Sequence, residues 1–393
     1  MVQRCLALVC LAAAAGCHAG GWPGLPAPSE AAPLPEGPRQ TITVEVPRPD
    51  IPPSPLPSLY RHLTAEECRR RTFQATPVAD VLAVPADMPR LRRLKHGEGE
   101  IWNLIRAYAA DELRNRHMAE ALSDFYRLAA AEGQYDRLRQ AEQLLQDQAH
   151  SLEKAVQQGV RSAQDLLTVQ RQLLEVRSRL AQVESLRIAL NAALAERLGL
   201  PGADPPLWPT VKLQVDPRDV AVEAAVDLAL TYRPDLNLLR LLLQVDGRAL
   251  AQAEGLLQAI HPLLSTGPAP SPLQTLLAEL RKAPTLWEQR GRSLVEAVLQ
   301  ARQRQVTAEV RAAIAARQGQ RTVAAARQSQ VEFWRQQLAE LEKRQAAGQA
   351  VTAELLAARL ELLQAEAALL QAAADWHRAD LQLRQALGLL VRE

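Results

Sequence analysis

The chain has 393 residues with 46 Lys and Arg against 44 Asp and Glu, and a formal net charge of +2 gives no signature of a nucleic-acid or polyanion partner. Hydrophobic residues make up 48% but aromatics only 4%, and the apolar surplus is Ala and Leu set among Gln, Glu and Arg, the composition of long helices and not of a β-rich fold. The apolar run Leu355 to Ala374 carries Arg359, Glu361 and Glu366, and Gly255 to Ala278 is broken by Pro262, Pro268, Pro270 and Pro272, so neither reads as a bilayer-spanning helix.

Residues 1–17 have the layout of a secretory signal, with Arg4, an apolar run from Cys5 to Ala15, and small residues before Cys17. Ala14-Ala15-Gly16-Cys17 resembles a bacterial lipoprotein box, which makes Cys17 the lipidation site and the new N-terminus of an exported, membrane-anchored chain. His18 follows it, and several acyl chains on one Cys give firm anchoring, which places the protein on the periplasmic side of the outer membrane. Cys5 and Cys10 leave with the signal, so Cys68 is the one cysteine left in the folded part and reads as a small half-buried residue.

Residues 18–58 are crowded with proline and form an extended tether in which only Thr41 to Val46 alternates like a strand. A short helical lead-in over 59–96 starts at Thr64-Ala65-Glu66-Glu67, the signature of a capping box, and is interrupted by Pro77, Pro85 and Pro89. From Leu91 to Leu200, and again from Thr285 to the end, there is no proline. One constant shift lays Leu152-Glu153-Lys154 on Leu341-Glu342-Lys343, Gly159 on Gly348, and Leu198-Gly199-Leu200 on Leu387-Gly388-Leu389, the mark of an internal duplication.

Within the first copy the apolar repeat is a heptad, Leu166, Leu173, Leu180 and Leu194 opposed by Val169, Val176, Val183 and Leu190, with Arg187 as an interruption. In the second copy Leu355, Leu362, Leu369, Trp376 and Leu383 face a row of Ala358, Ala365, Ala372, Ala379 and Ala386, small enough to let helices approach closely. Each copy therefore reads as a helical hairpin with an outgoing rod of about 60 residues and a return rod of about 40, roughly 90 Å and 60 Å long. Gly159 and Gly348 sit where a left-handed cap stops a helix; the alternative is a glycine carried inside one continuous helix. The expected organisation is all-α with little or no β: hairpin repeat 1 over 97–200, a linker over 201–220, and hairpin repeat 2 over 221–393 with a Pro-rich insertion at 261–286. Thr210 to Val215 alternates but is too short to cross a bilayer.

Chemistry is sparse. The seven histidines are scattered without metal-ligand spacing, and Gly97-Glu98-Gly99 lacks the strand and Lys-Ser or Lys-Thr of a phosphate loop and reads as the start of the long helix. Carboxylate pairs such as Glu120 with Asp124, or Glu132 with Asp136, sit at helical spacing among Arg and Gln and read as solvated faces, and the Arg-rich stretch Arg302 to Arg321 reads as a wet helix face or a lumen lining. Trp334 and Trp376 read as seam residues. No catalytic, cofactor or metal site is expected, and no nucleic-acid partner.

The run Gly159-Val160-Arg161-Ser162-Ala163-Gln164-Asp165-Leu166-Leu167, followed by Leu173-Leu174 and Leu198-Gly199-Leu200, resembles the TolC family of outer-membrane efflux factors, as does Tyr232-Arg233-Pro234-Asp235-Leu236 at the start of the second half. The resemblance covers about residues 95–393 and implies a homotrimer whose paired hairpins build a hollow periplasmic tube, fed by a periplasmic adaptor and an inner-membrane transporter. It implies that the hairpin tips, Gln158, Gly159, Val160, Arg161 and Ser162, and Ala347, Gly348, Gln349, Ala350, Val351 and Thr352, meet the adaptor. The chain departs from the family in one respect: each repeat should contain two membrane-spanning strands of about 9–11 alternating residues, yet Trp102 to Leu128 is helical in pattern and His261 to Leu286 is Pro-rich. A non-conducting periplasmic coiled-coil scaffold lipoprotein is the alternative reading.

Overall fold

Rods of this length must find partners along most of their span, and the computed structural model shows how they do so. It describes residues 42–46, 60–83, 98–200, 202, 205–245, 291–349 and 352–391. The signal and box with Cys17, most of the proline tether, the insertion at 261–286, Ala350 and Val351 lie outside the described residues.

The described residues contain eight helices and four short strands. These are β1 (Ile42–Glu45), β2 (Arg61–Leu63), α1 (Ala65–Gln74), α2 (Pro77–Ala83), α3 (Glu98–Gln157), α4 (Ala163–Arg197), β3 (Leu207–Pro209), β4 (Lys212–Val215), α5 (Val222–Tyr232), α6 (Pro234–Leu242), α7 (Arg292–Ala346) and α8 (Thr352–Leu387). No described helix is long and apolar enough to cross a membrane.

The expected pair of tandem hairpins is the observed architecture: α3 returns through α4, and α7 through α8. All four long helices end the same way. Gly159, Gly199, Gly348 and Gly388 take φ of +73°, +64°, +83° and +74°. Each donates its N–H three residues back while the next residue donates five back, as in Gly159 N to Val156 O and Val160 N to Ala155 O, both 2.9 Å. This double bond pattern is a left-handed C-terminal cap, so the glycines terminate helices and are not carried inside one continuous rod. At the start of α1 the Thr64 hydroxyl accepts from the Glu67 N–H at 3.1 Å, realising the cap read from the sequence.

α3 packs on both α4 and α8, and α8 on α7, so the four helices lie side by side in the order α4, α3, α8, α7. Contacts step antiparallel along the central pair: Asn115 Nδ2 donates to Gln385 O, Arg378 Nε to Ser123 Oγ, and Gln134 Nε2 to Gln371 Oε1. Both reversals therefore fall at the same end of the layer.

At the other end α1, α5 and the two strand pairs lie on one face of the layer, while α2 packs on α3 and α6 on α3 and α7. β2 pairs parallel with β3, and with α1 they bury Leu63, Cys68 and Leu207 against Met118, Leu122 and Phe125 of α3 and Leu190 and Leu194 of α4. β1 pairs antiparallel with β4, Ile42 opposite Val215 and Glu45 opposite Lys212, and this ribbon covers Leu370, Ala373 and Trp376 of α8. The alternation read at Thr41 to Val46 and Thr210 to Val215 thus belongs to two strands that find each other across the chain. α5 closes the second hairpin on Val306, Val310 and Ile314 of α7 and Leu383 and Leu387 of α8.

Cys68 is fully buried, and burial pushes its thiol up to about 12. It is an inert packing residue and not the half-buried one expected.

Candidate functional site

Two regions concentrate unusual residues: a buried ion network beneath the second hairpin, and the tips with the outer edges of the layer.

The network begins with Arg233-Pro234-Asp235. Proline fixes the first turn of α6 and holds the preceding Arg233 extended, at φ −65° and ψ 122°, which ends α5. The two charges then share one buried spot. Arg233 Nε donates to Asp235 Oδ1 at 2.9 Å, and Arg302 Nε of α7 donates to Asp235 Oδ2 at 2.8 Å. Glu309 Oε1 takes Arg302 Nη1 at 2.9 Å and Glu309 Oε2 takes Arg233 Nη1 at 2.5 Å, while Arg233 Nη1 also reaches the Ala386 carbonyl of α8. Asp235 is fully buried. Burial alone would raise its carboxyl, but Arg233 and Arg302 together hold it below the usual carboxylate range. Gly388 seals the site: a Cβ there would stand 3.0 Å from Pro234 Cδ and 3.1 Å from Arg233 Cα. The motif is thus a keystone joining α5, α6, α7 and the end of α8.

Glu112 of α3 lies beside this keystone, 4% exposed, accepting from Arg116 Nε at 2.7 Å. Burial first, and then the Asp235 charge, push its carboxyl up to about 7 against the pull of Arg116 and Arg233. A folded-state value above the ordinary one favours the folded state fully below about pH 4.5, and that contribution is lost as pH rises through about 7. Glu112→Gln is therefore expected to remove a fall in urea stability on the order of 2 kcal/mol between pH 5 and pH 8. Equal pH slopes for the two proteins would refute it.

Several residues read as solvated are buried pairs. Asp124 is 8% exposed and meets Arg197 Nε at 3.0 Å; Glu132 is 3% exposed and meets Arg187 Nη2 at 2.7 Å. Arg187, the interruption in the heptad, also lies over the Tyr135 ring at 4.0 Å. Arg317, 5% exposed, donates to Asp380 at 2.7 Å and lies over the ring of Trp376, which is a seam residue as expected. Arg302 and Arg317 are thus internal struts, not part of a wet face, because each is matched by a carboxylate on the neighbouring helix.

At the tips, Gln158 to Ser162 join α3 to α4, with Val160 71% exposed and Ser162 Oγ accepting from the Asp165 N–H at 3.3 Å. Ala347, Gly348 and Gln349 follow α7, where Arg344 Nε donates to Gln349 Oε1 at 2.9 Å, and Thr352 opens α8. Along the outer edges large apolar side chains stand in solvent: Leu167, Leu174 and Ile188 of α4 at 58%, 65% and 67%, in one heptad register, and Val323 and Phe333 of α7. Among the described residues no cluster of three metal-type ligands occurs.

This arrangement, two antiparallel hairpins side by side with short elements near their base, is the fold of tandem TolC-like helical hairpins. No family model matches the chain, and no curated protein matches it. Solved structures do. The Campylobacter jejuni CmeC outer membrane channel superposes with a TM-score of 0.54 at 12% identity over 84% of both chains. The Neisseria gonorrhoeae MtrE outer membrane channel in its open state gives 0.52 at 14% identity over 84% of this chain and 90% of that one. CusC gives 0.53 at 16% identity over 84% and 93%. The fold inferred from the Gly159 and Arg233-Pro234-Asp235 motifs is therefore the fold observed, shared with these outer membrane channels.

Proposed function

We propose that the chain is a TolC-like outer-membrane efflux channel component, a homotrimer whose helical layers close into a tube, and that it works by conduction and not catalysis. The observation that carries this is an open layer whose terminal helix α4 bears an exposed apolar stripe, Leu167, Leu174 and Ile188, with Val323 and Phe333 exposed on the opposite terminal helix α7. Neither α4 nor α7 has an outer neighbour among the described residues, and unlike edges pairing head to tail generate a closed ring when the rotation between copies closes. In this reading lipid on Cys17 holds the chain to the periplasmic side of the outer membrane. The tips, Gln158 to Ser162 and Ala347 to Thr352, receive substrate from a periplasmic adaptor and an inner-membrane transporter.

The scaffold reading keeps one specific support. α2 ends at Ala83 and α3 starts at Glu98, so hairpin 1 has only residues 84–97 for two membrane strands that need roughly 20 residues. A shortened efflux factor anchored by lipid accommodates this, as does a non-conducting coiled-coil lipoprotein; the bore separates them.

Leu174→Asp tests the ring. In the protomer the position is exposed, so helicity measured by circular dichroism is expected to stay unchanged. In the ring it places an unpaired carboxylate in an apolar seam, at a cost of several kcal/mol. Native mass spectrometry should show trimers lost in the variant; trimers of unchanged abundance would remove α4 from the interface.

A further inference from the structure

The helical layer has two unlike faces, and this inference rests on the ring proposed above. One face is covered by the chain itself, by α1 with β2 and β3 at hairpin 1 and by α5 with β1 and β4 at hairpin 2. On α8 the covered stripe runs through Leu370, Ala373, His377, Asp380 and Arg384, of which the last three line a cavity of about 490 Å³ beneath β4. Half a turn away, Gln371, Asp375, Arg378 and Gln382 are half-exposed or exposed, and on α3 the same side carries Arg116, Glu120 and Arg127. Among the described residues neither α1, α5 nor a strand lies over this second face, and the α5–α6 junction meets it only at its base, where Arg233 lines a hollow with Gln382 and Ala312.

Geometry decides which face turns inward. Twelve helices spaced about 10 Å apart enclose a bore of roughly 30 Å. An added layer about 10 Å thick on the inside of each protomer would largely fill it. The covered face must therefore point outward, and the bare face inward.

Towards the base the charges on the bare face answer one another in direct pairs, and nearer the tips Arg179 shares a hollow with Glu175 and Glu361. Arg116 Nε meets Glu112 at 2.7 Å, Arg127 Nη1 meets Asp124 at 3.2 Å, and Arg378 Nη1 meets Asp375 at 3.1 Å. Arg197 bridges Glu120 and Asp124. Behind them the keystone sets Arg233 and Arg302 against Asp235 and Glu309. We infer that the bare face is the wall of the conduit and that its charges cancel in place, so passage discriminates by solute size and not by the sign of solute charge.

Single cysteines test this in the full-length protein extracted from membranes, at pH 8 so that Glu112 is ionised. Gln382→Cys and Ala312→Cys lie on the bare face, and Glu66→Cys and Lys212→Cys on the covered side, where the native side chains are 74% and 65% exposed. A bulky polymer-linked maleimide should label the covered-side positions and spare Gln382→Cys and Ala312→Cys. Small cationic and anionic methanethiosulfonates should reach those two at rates within about threefold of each other. Adding Arg378→Glu should then favour the cationic reagent at Gln382→Cys by roughly threefold or more. Bulky labelling of the bare face as fast as of the covered side overturns the wall, and a native preference of about tenfold for one sign overturns its neutrality. Native mass spectrometry of the same samples separates the two levels. Trimers with the wrong labelling defeat the wall alone, whereas monomers defeat the ring and the wall together.

Discussion

Asp235→Ala should be the most damaging single substitution in the described chain, lowering urea stability by about 3–5 kcal/mol. Asp235 is the common acceptor for Arg233 and Arg302, 6% and 7% exposed. Its removal leaves two guanidinium groups buried with Glu309 as their remaining bonded carboxylate and Glu112 nearby. The loss would come mainly from those uncompensated charges and not from the missing bonds themselves. A triple replacement, Arg233→Met with Asp235→Leu and Arg302→Met, should for that reason recover much of the stability that the single change removes. A single-variant loss under about 1 kcal/mol would show that water reaches the site and that the keystone is not the buried network described.

The second large effect concerns two glycines that look alike in sequence. Gly159 and Gly388 both take positive φ, so Ala at either is strained by about 1–2 kcal/mol. Around Gly159 nothing lies within 4 Å of an added Cβ, whereas at Gly388 that atom meets Pro234 Cδ and the Arg233 backbone. Overpacking against backbone adds about 1–3 kcal/mol. Gly388→Ala is thus expected to cost roughly 2–5 kcal/mol in urea denaturation and Gly159→Ala only the strain. Equal losses would mean that the end of α8 does not press on the Arg233-Pro234 kink.

Much of the fold was legible because long coiled rods write their geometry locally. The heptads at Leu166 to Leu194, the four cap glycines and the Thr64 cap each act within one or two turns, so one sequence suffices to place them. The pairing of β1 with β4 was not legible, since Ile42 and Val215 stand far apart in the chain and a four-residue alternation names no partner. The buried charges are not legible from one helix alone, because helical spacing does not tell a charge in water from a charge against a neighbouring helix. A signal did exist. Arg187 stands at a seam position of α4, Arg317 continues the stripe Val306, Val310 and Ile314 of α7, and Asp380 continues the stripe of Trp376, Leu383 and Leu387 on α8. A charge in an apolar stripe on one helix, answered by the opposite charge in the stripe of its neighbour, marks a buried strut. The role of the tip residues could be approached only through the family resemblance, because exposure at Val160 and Gly159 specifies no partner chemistry.

The repeat itself explains why the two hairpins carry different burdens. Thr76-Pro77 breaks α1 from α2 as Arg233-Pro234 breaks α5 from α6, and a Cβ at Gly199 would meet Ala75 where one at Gly388 would meet Arg233 and Pro234. The first break holds no buried ion network among the described residues, and its Thr76 hydroxyl bonds to the Thr72 carbonyl at 2.8 Å. The second break alone carries the keystone, so loss of stability should concentrate there.

The central claim is that these layers close into a ring. The most direct test is the oligomeric state and shape of the full-length protein extracted from membranes, by native mass spectrometry with negative-stain imaging. The account predicts hollow trimeric cylinders; monomers, or dimers forming solid rods, would contradict it and leave the scaffold reading in its place.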